Sequence, residues 1–255
     1  MIYILGDSFS YGLNFFFDNN KNRKKLLYSY HLAKKLNSEV KNLSVPGASN
    51  WRTARIIMNL PLTENDVVII GWTETTRFEV PFKKSSTSHE EFIMTTEDLI
   101  DIEHNDIGKN DNFRMGTFIE DNGNFLTRRI HPALLGRLDT IKNLKFRNFV
   151  ENYYLDFYEA NWHDDMFSVI FAAIYYKLKN SKCKFRMFNT FSSPVKHDND
   201  LYNIPEYMFG YKNTILNVLR PKNKNDLSYY STSEHEKIAE LIYDNLNRSE
   251  NNDFQ

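Results

Sequence analysis

The sequence predicts an α/β protein in which helices cover both faces of a mostly parallel sheet. Three observations predict it. The short apolar runs Met1–Leu5 and Val67–Ile70 lack the polar alternation of a strand with one wet face, so both read as strands buried on two sides. Segments of helical period separate the strands, and no long hairpin signal interrupts the regular part. A chain of 255 residues suits one main core, which we place in a single domain over residues 1–247, interrupted by an insertion at 78–160 and followed by a loose tail at 248–255.

Taken in order, the first run stops at Gly6-Asp7-Ser8, as a strand entering a tight turn does. Residues Lys25 to Leu36 set Leu26, Leu27, Tyr30, Leu32, Ala33 and Leu36 at mostly helical spacing, and Glu39 to Val45 then alternates like a strand. Pro46-Gly47-Ala48-Ser49-Asn50 is a turn, with Ser49 or Asn50 capping a helix that runs to about Leu60. The apolar strand Val67–Ile70 ends at Gly71 and completes a βαβαβ succession. From Phe78 to about Ala160 the rhythm is lost. Charged, Asn-rich stretches there carry isolated aromatics such as Phe92, Phe113, Phe118 and Phe125, and we expect a loop-rich cap, lid or contact surface. The rhythm resumes with a helix whose stripe is Phe167, Ile170, Phe171, Ile174 and Leu178, and with a strand from Lys184 to Phe191. After the polar loop Pro221 to Ser231, a last amphipathic helix from Thr232 to Leu246 turns Ile238, Ala239, Leu241, Ile242 and Leu246 inward.

Composition excludes several classes. Lys+Arg at 32 against Asp+Glu at 33 leave a net charge of -1, which opposes nucleic acid as a partner. The basic clusters at Arg23-Lys24-Lys25 and Lys222 to Lys224 fall short of a binding tail. The longest apolar run, Met166 to Tyr176, is too short to cross a bilayer and contains Ser168. One cysteine, Cys183, excludes an internal disulfide, and no basic region precedes Gly6-Asp7, so the expected location is cytoplasmic. The abundance of Asn, Lys, Ile, Tyr and Phe is the bias of AT-rich coding DNA, as in many phages and some bacteria, which would put the protein in a host cytoplasm or a virion. No cofactor is expected: the seven histidines are dispersed, no Cys pair exists, and neither a GxxxxGK[ST] nor a GxGxxG motif follows the first strand.

In a parallel sheet, ligands meet the loops at the carboxyl ends of the strands. Four segments should lie on that edge: Gly6-Asp7-Ser8-Phe9-Ser10, Asn42 to Ser49, Gly71-Trp72-Thr73-Glu74, and Asp226 before the last helix. In order and spacing they resemble the SGNH/GDSL hydrolase family over roughly two-thirds of the chain. The resemblance implies a three-layer α/β/α flavodoxin-like fold with Ser8 as nucleophile and the backbone N–H groups of Ser8 and Gly47 in an oxyanion hole. A serine at a strand-to-helix turn fits that role, because helix N-terminal N–H groups favour developing negative charge. The sequence departs from the family twice. Thr73 stands where an asparagine usually donates to the oxyanion, a loss of about 2.7–4 kcal/mol if its hydroxyl does not substitute. Aligning Ser231, His235 and Ile238-Ala239 with the family's closing block puts Asp226 on the expected aspartate and Tyr229 on the expected histidine. A phenol with a pKa near ~10 is a poor base, and losing the histidine of such a triad costs on the order of 10⁶ in rate.

His235, six residues beyond Tyr229, is the candidate replacement base. His163, beside Asp164 and Asp165, reads better as a bystander at a helix N-terminus. Arg77 suits a substrate carboxylate or phosphate, although an Arg77–Glu79 surface pair is an equal reading. The resemblance implies a serine esterase or deacylase acting on an acylated small molecule or carbohydrate, with Ser8, Asp226 and His235 catalytic and Gly47, Thr73, Arg77 and Tyr229 at the oxyanion and substrate. The alternative is a catalytically silent module for binding or virion assembly, whose protein partner meets the 78–160 insertion.

Overall fold

The computed structural model describes residues 1–12, 22–83, 93–95, 119–123, 125–141, 143–190, 202–220 and 231–251. A parallel four-stranded sheet organises the chain in the order β2-β1-β3-β8, with β1 at Ile2–Leu5, β2 at Val40–Asn42, β3 at Val67–Trp72 and β8 at Lys184–Asn189. Alternation along the strands divides the core in two. Ile2, Ile4, Ile69 and Phe188 face α3 (Tyr28–Leu36) and α8 (Thr232–Asn251), where they meet Tyr28, Leu32, Ile238 and Ile242. Leu5, Val68, Ile70, Trp72 and Met187 face α4 (Asn50–Asn59) and α6 (Ala160–Ser181), where they meet Ile57, Phe167, Phe171 and Ile174. The expected α/β class therefore holds, with helices on both faces of a parallel sheet. Each fully buried side chain of this kind contributes about 1.5–3 kcal/mol, which is why the apolar runs could be read as strands buried on both faces.

Local differences from the expected elements have physical causes. The first predicted helix breaks into α2 (Arg23–Leu26) and α3, because Leu27 turns extended (φ -81°, ψ 149°) and buries its side chain against Gly12. The second strand ends at Asn42, whose side chain donates to the Ser10 carbonyl and accepts from the Ser44 N–H, while Leu43 N and Val45 N still donate to the Ile4 and Gly6 carbonyls. Helix α4 is capped by Ser49, which accepts from Arg52 N at 3.1 Å. The closing helix runs on to Asn251, past the expected end at Leu246. The loop from Pro221 to Tyr230, and Phe92, Phe113, Phe118 and Phe191, lie outside the described residues.

The insertion is the larger departure. Its described residues form a second sheet in the order β4-β7-β6-β5, made of Phe78–Phe82, Leu126–Ile130, Ile119–Asp121 and Ile93–Thr95. The β4–β7 and β6–β7 pairs are antiparallel and β5–β6 is parallel. A 3₁₀ segment at Pro132–Thr140, helix α5 (Leu144–Asn152) and a π turn at Tyr153–Phe157 lead back to α6. Ion pairs hide this sheet from a hydropathy reading. Glu120 and Arg129 sit on its strands at 1% and 2% exposure, and the guanidinium of Arg52 on α4 grips Glu120 through two bonds of 2.9 and 3.1 Å. Arg55 adds bonds to Glu79 and to Glu120. Charged strand residues that find partners on another element look like loop in the sequence.

Candidate active site

Strand β1 delivers Gly6-Asp7-Ser8 to the carboxyl edge of the parallel sheet. A Cβ at Gly6 would lie 2.6 Å from Ser10 Oγ, and one at Gly71 would lie 3.1 Å from the same atom. The two glycines thus let Ser10 wedge between the ends of β1 and β3. Ser10 is fully buried and its hydroxyl accepts from Tyr28 Oη at 2.9 Å, so it cannot meet a substrate. Ser8 is half-buried and begins α1 (Ser8–Tyr11), with its hydroxyl bonded to no protein group among the described residues. Of the two serines in the motif, only Ser8 is placed for chemistry. Helix α1 has a single turn, so the aligned-peptide field expected behind Ser8 is small and individual N–H groups matter more.

Gly47 follows β2 with φ +68°, a left-handed conformation that glycine adopts without a side-chain clash. Among the described residues, neither the Ser8 N–H nor the Gly47 N–H donates to a protein acceptor. The carbonyl of Pro46, just before Gly47, accepts from Arg129 Nη1 at 2.6 Å. A strand of the insertion therefore holds the Gly47 turn, a tie that no local sequence signal announces.

Asp7 is the electrostatic centre of the edge. It is fully buried and caps α1 by accepting from Phe9 N at 3.1 Å. Its other oxygen accepts from Thr73 Oγ1 at 3.1 Å and from Arg77 Nη1 at 3.3 Å. Burial pushes the Asp7 carboxyl above its ordinary range, opposed by Arg77 and these donors. The Thr73 hydroxyl proton is thus directed at Asp7, not at the position of an oxyanion. Asn50, which sequence reasoning treated only as a cap, is buried and exchanges bonds with the Thr73 backbone, Nδ2 to O at 2.9 Å and N to Oδ1 at 3.1 Å. It fixes the end of β3 and leaves Ser49 to cap the helix.

Arg77 does not form the surface pair with Glu79. It spans Asp7 and Glu74, the latter at 3.6 Å, while Glu79 pairs with Arg55 at 3.3 Å. Glu74 Oε2 in turn meets His131 Nε2 at 3.4 Å, and this bond is the main reason its carboxyl lies below the usual range. The chain Asp7–Arg77–Glu74–His131 connects an imidazole of the insertion, through three side-chain contacts, to the residue beside Ser8. His131 is about one-third exposed and was missed in the sequence because its acid partner lies 57 residues away.

The structure does not bring His235 to Ser8. Its ring is fully buried beside Phe9 and Tyr28, at centroid distances of 5.4 and 6.0 Å, and Nδ1 accepts from Tyr28 N at 3.3 Å. Burial, with the nearby His31, holds its pKa down to about 3, so it is a weak proton acceptor. His163 is also buried, bonded to Tyr153 Oη at 2.8 Å, in line with the bystander reading. Asp226 and Tyr229 lie outside the described residues. Among the described residues, no cluster of metal-ligating side chains occurs and no helix is long and apolar enough to cross a membrane. Comparison of the chain with family models, with curated proteins and with solved structures finds no match.

Proposed function

We propose that the protein is a serine ester hydrolase or deacylase of the SGNH/GDSL type, acting on an acylated small molecule or carbohydrate through an acyl-enzyme on Ser8. One observation carries this reading: a half-buried hydroxyl at the carboxyl edge of a parallel sheet, with the Ser8 and Gly47 N–H groups left uncommitted among the described residues. Those are the parts an acyl transfer needs, a nucleophile and donors for the oxyanion. Ser8 Oγ attacks the ester carbonyl while its proton passes to a base. The tetrahedral oxyanion collapses, the alcohol leaves with that proton, and water then releases the acid by the same route in reverse. For the base we assign His131, oriented by Glu74, because it is the imidazole that the Asp7–Arg77–Glu74 chain links to this edge. Arg77, spanning the Asp7 and Glu74 carboxylates, holds Glu74 for its contact with His131.

Two observations favour the second reading, a catalytically silent binding or virion-assembly module. The Thr73 hydroxyl is spent on Asp7, and His235 serves the core. A fluorophosphonate probe and short p-nitrophenyl esters separate the readings. We expect wild type to label and turn over, Ser8→Ala to do neither, and His131→Gln to acylate about 10²- to 10⁴-fold more slowly. His235→Phe, which keeps a ring beside Phe9 and Tyr28, should label like wild type. Wild-type protein that neither labels nor turns over, with activity appearing in Tyr229→His, would establish the silent module instead.

A further inference from the structure

Helix α6 is apolar on two faces, and among the described residues one of them is packed. Phe167, Phe171, Ile174 and Leu178 pack against the parallel sheet and α4. On the far side Trp162, Val169 and Tyr176 recur every seven residues and remain 59%, 61% and 64% exposed, with Ala173 exposed among them. At about 100° per residue these four positions fall within roughly 60° of one another around the helix, a narrow seam. The seam also accounts for the apolar run from Met166 to Tyr176, interrupted by Ser168, which one buried face does not require.

We propose that this seam pairs with the same seam of a second copy, antiparallel, about a two-fold axis at Val169. The spacing is self-complementary: Trp162 and Tyr176 lie seven residues to either side of Val169, so each Trp162 meets the other copy's Tyr176. Charge fixes the direction. Exposed Glu159, the N-cap whose carboxylate accepts from Asn161 N at 3.0 Å, and exposed Asp165 mark the N-terminal end of the helix, and half-buried Lys177 and exposed Lys179 mark its C-terminal half, Lys179 also pairing with Glu206 of its own chain. Glu159 and Lys177 both lie about 80° from the seam, on the side that makes them neighbours across an antiparallel pair. A parallel pair would set acid on acid and base on base. Aromatic side chains bury about 150–250 Å² each, so two tryptophans and two tyrosines with the adjoining valines and alanines reach on the order of the 1,000 Å² that a stable interface needs.

Sedimentation velocity over a concentration series should show a dimer for the full chain and a monomer for Val169→Glu, with unchanged far-UV circular dichroism. A short bismaleimide should then link Val169→Cys to itself, and Trp162→Cys to Tyr176→Cys in a mixture. It should not link Trp162→Cys to itself, because in the antiparallel pair those positions are about 21 Å apart along the helix. A wild type that stays monomeric, or self-linking of Trp162→Cys, overturns the proposal. So does a monomer that sediments with phosphatidylcholine–phosphatidylglycerol vesicles and loses that property in Val169→Glu, which would assign the face to lipid.

Discussion

At the residue scale, His235 shows how a titratable side chain can be structural. Its ring completes a stack with Phe9 and Tyr28 and takes a backbone N–H that would otherwise lack an acceptor. The folded state keeps it neutral down to about pH 3, whereas in the unfolded chain it protonates near ~6.5. The unfolded state therefore binds the extra proton between those values, and the stability that His235 contributes is present above pH 6.5 and lost as pH falls. The unfolding free energy obtained from urea titrations should fall by roughly 2–3 kcal/mol between pH 6.5 and 4.5 on this account, and His235→Phe should remove most of that slope. An unchanged slope would mean that the imidazole is protonated in the fold. Asp7 teaches a related lesson: a residue that reads as turn chemistry in Gly-Asp-Ser is the acceptor that binds Thr73 and Arg77 to the first strand.

At the scale of elements, the junction between α4 and the insertion's sheet rests on Arg52 and Glu120, both almost wholly buried. Burial alone would raise the Glu120 carboxyl, but Arg52, Arg129 and Arg55 outweigh it and bring it down to about 2. Truncating one member of such a pair leaves an uncompensated buried charge, so Glu120→Ala should cost about 3–5 kcal/mol in urea denaturation. Arg52→Met with Glu120→Leu should cost much less than the two single changes summed, because both charges leave together. Glu120 also adds to acid sensitivity: its contribution is complete above about pH 4.5 and declines toward pH 2. The same sheet supplies Arg129 to the Pro46 carbonyl and His131 to Glu74, so the insertion is joined to the candidate site from two directions.

At the scale of the whole molecule, these buried ties make the two sheets one unit. We expect one cooperative urea transition, with far-UV circular dichroism and the fluorescence of the tryptophans, Trp72 buried in the central sheet, changing together. A plateau between the two signals would show that the insertion opens by itself. Pairing through α6 would add a concentration-dependent term, raising the midpoint of wild type but not of Val169→Glu.

Local spacing was enough for the parallel sheet, its covering helices and the turn that presents Ser8, because apolar periodicity is set by neighbours along the chain. The Met166–Tyr176 run was legible as apolar, yet its division into a buried and an exposed face emerged only once Phe171 had a sheet to pack against. Folding alone decided the partners of the polar residues. Thr73 meets Asp7 across 66 positions, Arg52 meets Glu120 across 68, and the His235 ring meets the Tyr28 N–H across 207. Hydrogen bonds and ion pairs at such separations depend on where whole elements dock, and the desolvation that makes them strong exists only after the core has closed.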